Sequence, residues 1–248
     1  MNRFLADCLY VGRRIRARLR CRRFDHVVMA GYNCELAFRF LKCMGFLDST
    51  LFCWTALQGE HGFAEFCEHI DDLVAGDIQP PHDGIPMFRC AKTGLWMHGR
   101  AHAQAWKGDV SPEFVKAETD EVRSRMLHLR EKTLRYLRDD MSVLVVHKAN
   151  PRFCGPGKAD GSVMEVRAAL ERLGARNMTF LAVCEESCRR NFPAVHPGYE
   201  LRTVARFNPD DDAVNPKLGD MRGWRVVFDE FRPRKKLKCK ETGFKFDT

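Results

Sequence analysis

No apolar run in this chain approaches the roughly 18 residues that a membrane-spanning helix requires. The opening residues Met1-Asn2-Arg3-Phe4-Leu5 lead into arginines, not into the continuous apolar stretch and small-residue cleavage site of a secretory signal. A cytoplasmic protein is expected. Three further patterns are missing: the dinucleotide fingerprint G-x-G-x-x-G, the phosphate loop G-x(4)-G-K-S/T and the zinc motif H-E-x-x-H. Their absence argues against the common nucleotide enzymes and zinc peptidases, and no cofactor is expected. There is no internal repeat and no long low-complexity segment.

What is present fits a globular chain: 248 residues, 45% hydrophobic and 30% charged. That length suits one large or two small domains. Eleven cysteines would suggest a disulfide framework in a small secreted chain, but here they are odd in number and spread through a long one, so they read as free thiols. Zinc needs clustered thiolates and imidazoles, and the only comparable spacing is the single pair Cys184 and Cys188. That pair reads more simply as core packing, so no metal site is expected.

The net charge of +8 is concentrated at the ends. Residues 1–26 carry +6, residues 232–248 carry +5, and the middle is −3. A basic cleft on the folded body is therefore not indicated. From Leu5 to Leu19 the apolar residues Leu5, Leu9, Ile15 and Leu19 are spaced loosely like one helical face, with Arg13, Arg14, Arg16, Arg18 and Arg20 crowding the rest. Such a helix could meet anionic lipid or nucleic acid, or be a solvated helix packed on the domain edge. The second reading is favoured here. The expected organisation is a basic N-terminal helix or arm over 1–25, an α/β domain over 26–231 and a basic C-terminal tail over 232–248.

Within the domain, His26–Ala30 reads as a strand and Leu36, Phe40 and Met44 as the buried face of a helix that stops at Gly45. Leu51–Trp54 is a second strand candidate, and Phe63, Phe66, Ile70 and Leu73 mark a following helix ending near Gly76. The Pro- and Gly-containing stretch 77–94 reads as a long connection. Leu95–His98 reads as a short strand. Ser111-Pro112 opens a long helix running to about Leu137, Ser142–His147 is the clearest strand, and a helix over Val163–Leu173 precedes a strand at Met178–Val183. Strand, helix, strand in this order is the βαβ unit, so the expected class is α/β with a mostly parallel sheet and helices on both faces.

Ligands and catalysis in open α/β sheets gather at the carboxyl ends of the strands. Cys34 is expected there, just after Gly31-Tyr32-Asn33. With Asn33 as N-cap, Cys34 would occupy the first helical turn, where free backbone N–H groups favour a thiolate. The plainer reading is a buried cysteine with no chemistry. His147 and Lys148, closing the strongest strand, could face the same crevice and hold an anionic group, or be an edge and a solvated residue. Trp224 reads as a core residue.

The run Val28-Met29-Ala30-Gly31-Tyr32-Asn33-Cys34-Glu35-Leu36-Ala37-Phe38 resembles the opening motif, S-L-G-x-x-C-x-x-A, of the bacterial family described as papain-like cysteine peptidases of unknown function. Thr50-Leu51-Phe52-Cys53-Trp54 is similar to its S-P-F-D-W motif at Phe52 and Trp54, and His98 follows a short strand as the family histidine does. An arginine-rich helix before a strand, here Val122–Tyr136 before Val143–His147, also recurs. The resemblance covers roughly residues 27–185. It implies Cys34 as nucleophile and His98 as base; Asn33, Glu35, Trp54 and His147 are the residues expected around the substrate. The family acid falls on Cys53, which cannot act as a carboxylate; Asp83 or Glu60 could replace it, and nothing in the sequence selects either. The implied function is a cysteine-dependent, peptidase-like hydrolase or an acyltransferase acting on an amide, ester or thioester. The alternative is a non-catalytic α/β binding module linked to glycan or surface-polysaccharide assembly.

Overall fold

A computed structural model describes residues 3–31, 33–57, 59–73, 77–81, 87–99, 106, 110–149, 159–207 and 219–234. Asp83, the side chain of Glu60 and the tail from residue 235 lie outside the described residues, as does Tyr32 of the cysteine motif.

Four parallel strands form the main sheet: β2 (His26–Ala30), β7 (Val143–Lys148), β8 (Met178–Glu185) and β9 (Glu200–Val204), side by side in that order. The register aligns Val28 with Val145 and Val145 with Phe180. All six residues of β7 are buried, as a strand with neighbours on both edges and cover on both faces requires. The expected α/β class is therefore observed, with helices flanking the parallel strands. Because the strand order never reverses, this sheet has no switch point to open a crevice between diverging helices.

Helix α2 (Glu35–Met44) follows β2 and ends where Gly45 adopts φ 77° and donates its N–H to the Leu41 carbonyl, a conformation that costs glycine little. Helix α4 (Pro112–Arg138) begins as its sequence indicates: the Ser111 hydroxyl accepts from the Phe114 amide and Pro112 fills the first turn. Val122, Met126, Leu129, Thr133 and Leu137 form its buried stripe. Helix α5 (Ala159–Arg172) leads into β8, and α6 (Met221–Glu230) buries Trp224, which stacks between Phe207 and Phe228. Phe40 of α2 meets Phe228 edge-on with ring centres 5.1 Å apart, joining α2 to α6 through the core.

Three expectations are corrected. Leu51–Cys53 is a 3-10 turn, not a strand. Its run is apolar and fully buried, so no periodicity separates the two, and hydrogen bonds decide: the Cys53 amide donates to the Thr50 carbonyl, and Thr133 on α4 accepts from the Leu51 amide at 2.9 Å. The stretch 77–94 is not an irregular connection, because β4 (Ile78–Gln79) and β5 (Met87–Cys90) lie in it. They join β3 (Thr55–Ala56) and β6 (Trp96–His98) in a separate antiparallel sheet ordered β3-β6-β5-β4. Helix α3 (Gly59–Glu68) stops earlier than expected and is followed by a 3-10 turn at Ile70–Asp72.

At the chain ends β1 (Arg22–Phe24) runs parallel to β10 (Phe231–Pro233) in a two-stranded sheet. Helix α1 (Arg3–Leu19) lies on α6, where Arg14 donates to the buried carboxylate of Asp229 at 2.6 Å and Arg18 approaches the same carboxylate at 3.4 Å. Arg234 closes the arrangement, donating its amide to the Phe24 carbonyl and pairing its guanidinium with the Asp25 carboxylate at 3.4 Å.

Candidate functional site

The carboxyl ends of β2 and β7 carry the residues singled out from the sequence. Gly31 leaves β2 in a tight approach: a Cβ there would stand 3.2 Å from the Asn33 carbonyl and 3.2 Å from a Leu36 methyl. The chain then enters α2 one residue later than expected. Cys34, not Asn33, is the N-cap, and it has helical backbone angles and no capping side-chain bond. Asn33 still contributes by folding its side-chain carbonyl onto the Glu35 amide at 3.2 Å, an Asx turn that satisfies one orphan helix donor. Its Nδ2 group is buried without a hydrogen-bond partner among the described residues.

The Cys34 thiol is buried, and burial pushes it up to about 12. Its own backbone amide and Lys148 pull the other way, Glu35 and Cys53 add to the rise, and the burial cost dominates. At neutral pH on the order of one such thiol in 10⁵ is ionised, the reverse of the exposed thiolate that a helix N-terminus would favour.

The base expected from the sequence is His98. It sits on β6, in the antiparallel sheet, with its amide donating to the Trp54 carbonyl and its own carbonyl accepting from the Arg125 guanidinium. Burial pushes its imidazole down to about 4, and the Arg125 charge adds to that. No hydrogen bond joins it to Cys34. The thiol responds to Glu35, Lys148 and Cys53, whereas the imidazole responds to Arg125. Strand β2, which leads to Cys34, and strand β6, which carries His98, belong to different sheets. Cys53 is fully buried and works locally: its sulfur accepts from the Thr50 amide at 3.4 Å and meets the Thr50 hydroxyl at 3.5 Å. Trp54 is buried and meets Phe38 edge-on with ring centres 6.3 Å apart.

What does converge at this edge is charge. The Glu35 carboxylate accepts from the Lys148 ammonium at 2.7 Å and from the Arg39 guanidinium at 3.3 Å, and all three side chains are at most 3% exposed. Lys148 also stands 4.9 Å from the centre of the Phe207 ring. Lys148 is therefore neither solvated nor open to a ligand in this arrangement. His147 is not at an edge, because β7 lies between β2 and β8; its Nδ1 lies 2.6 Å from the carbonyl oxygen of Ala30, its register partner on β2. Arg39 was not singled out from the sequence. The available signal was its position four residues after Glu35 beside the apolar stripe of α2, where an i,i+4 pair faces the sheet instead of solvent.

An acid–imidazole contact lies near the start of α5, where Asp160 meets His196 at 3.3 Å and the Tyr199 hydroxyl at 2.5 Å. The other ring nitrogen of His196 accepts from the Gly198 amide, so both nitrogens are engaged. Cys184 is pushed up to about 12, chiefly by burial and next by Cys188. Among the described residues no group of three or more His, Cys, Asp or Glu side chains could hold a metal ion, and no helix is long and apolar enough to cross a membrane.

Fold and site together define a class, an α/β protein whose carboxyl sheet edge closes over buried ion pairs. Set against family models, curated proteins and solved structures, the chain matches none of them.

Proposed function

We propose that this protein is a non-catalytic α/β binding module and not a cysteine-dependent hydrolase or acyltransferase. The observation that carries this reading is the state of Cys34: a sealed thiol, pushed up to about 12, with no imidazole bonded to it. Acyl transfer by cysteine needs an ionised sulfur within reach of the substrate carbonyl and a base beside it. Positions 34 and 53 instead carry packing. The Nδ2 donor of Asn33 lies buried at the carboxyl edge of the sheet without a hydrogen-bond partner among the described residues, so a polar ligand that opened this edge would offer it an acceptor oxygen. A glycan or surface-polysaccharide precursor is the ligand class this reading retains, because hydroxyl- and carboxylate-rich molecules offer such acceptors.

The test is timed iodoacetamide labelling of the full chain at neutral pH, mapped by peptide mass. Cys8 is exposed and serves as the internal standard. Cys34 should react orders of magnitude more slowly than Cys8. Labelling of Cys34 as fast as Cys8 or faster would restore the nucleophile and, with it, the peptidase-like reading.

A further inference from the structure

Helix α1 presents its faces in an unusual sense. The side packed on α6 is the polar one: Arg14 and Arg18 bind Asp229, Arg222 of α6 bonds Asp7 at 2.7 Å, and the Arg14 and Arg222 guanidinium groups lie 5.7 and 5.1 Å from the centre of the Tyr10 ring. The side turned to solvent is apolar. Leu5, Leu9, Val11, Ile15 and Leu19 are 51 to 83% exposed. At 100° per residue these five, with Cys8 and Gly12 between them, fill one continuous arc of about 160°. Arg16 lies within that arc, Arg13 and Arg20 along one border and Arg18 along the other, all exposed. The only acid on the helix is Asp7, which faces Arg222.

A continuous aliphatic arc bordered by arginines and free of acids has the chemistry of a helix lying in a lipid headgroup layer, with side-chain stems along the acyl boundary and guanidinium groups on phosphates. We propose that α1 is a peripheral membrane-binding helix that docks the α/β body on an anionic lipid surface through Leu5, Leu9, Ile15 and Leu19. Charge decides among possible occupants. A second copy would bring arginine border against arginine border, and nucleic acid would use the arginines but leave the aliphatic arc in water. Anionic lipid satisfies both. The salt bridges to Asp229 fix the helix to the body, so lipid contact would be transmitted to the whole domain. This inference is independent of the reading given to Cys34.

The experiment is co-sedimentation of the full chain with vesicles of phosphatidylcholine alone and with about one third phosphatidylserine. Binding is expected to the anionic vesicles only. Replacing Arg16 or Arg20 by Ala should weaken it about fivefold each, and the double variant Leu9→Asp/Ile15→Asp should weaken it at least about tenfold. Both aliphatic positions face solvent, so circular dichroism should report an unchanged fold. An environment-sensitive dye on Cys8, within the arc, should shift to the blue on binding. Failure to bind anionic vesicles, or binding that ignores the double Asp variant, overturns the proposal. So does a lipid-free dimer that the same variant dissolves, which would assign the arc to a second copy, or retention by RNA that lipid does not compete away.

Discussion

At the carboxyl edge of the parallel sheet three charged side chains are buried, while on α1 five aliphatic side chains face solvent. Each region reverses the usual preference, and each does so at a cost that something must offset. Inside, burying Lys148 and Arg39 is tolerable because both meet the Glu35 carboxylate, so the charges leave water together. Outside, the aliphatic arc has no such compensation within the described residues, because the helix has used its polar side to dock on α6. The contrast separates two reasons for a residue to lie in the unexpected place: one is satisfied within the fold, and the other points beyond it.

The largest effect expected follows from opening the inner cluster. Glu35→Ala would leave Lys148 and Arg39 buried without this carboxylate, and should cost about 3–5 kcal/mol of stability, read as a lower urea midpoint at unchanged slope. A loss near zero would show that the Glu35 carboxylate is not needed to hold the two buried cations. Next comes a pH dependence. The unfolded His98 imidazole takes up its proton near 6.5, whereas in the fold burial holds it near 4. Between those values the unfolded chain binds more protons. Stability should therefore be complete above about pH 6.5 and decline as the pH falls toward 4, by about 2 kcal/mol for this half-buried group. In His98→Gln that part of the slope should vanish, as comparison of urea curves at several pH values would reveal.

How much of this was legible in the sequence depends on the range of the forces involved. Strands β2, β7 and β8 and helices α2 and α4 could be read because periodicity, Ser111-Pro112 and Gly45 are local signals. The turn at Leu51–Cys53 could not, since its conformation is held by Thr133, far along the chain. The sheet membership of the strands near Cys34 and His98 was equally hidden: Cys34 follows β2 and His98 ends β6, and only pairing shows that the two strands belong to different sheets. Motif spacing therefore placed the cysteine correctly at a strand-to-helix turn but could not reveal its burial. On α1 the arginines were counted correctly, yet which face would dock depended on Asp229, more than two hundred residues away.

Smaller effects sharpen the same contrast. Thr133→Val removes the hydroxyl that accepts from the buried Leu51 amide and should cost about 1–2 kcal/mol, the price of one unsatisfied buried donor. The 3-10 turn should then exchange its amide hydrogens faster than the surrounding core, which hydrogen exchange by residue would detect.

The smallest change in stability is expected where a charge is introduced on the outer face of α1. Leu9→Asp places a carboxylate where solvent already reaches, and Arg13, one helical turn on, is available to attract it. The unfolding midpoint should move by no more than about 0.5 kcal/mol equivalent in either direction. That outcome has a definite meaning, because a leucine holding the fold together would cost several times as much when replaced by a charge. A loss of about 2 kcal/mol or more would mean that the arc is covered within the protein itself, and the inversion between the two regions would disappear. Near-neutral stability would leave the leucine, like the rest of its arc, without a structural duty inside the chain.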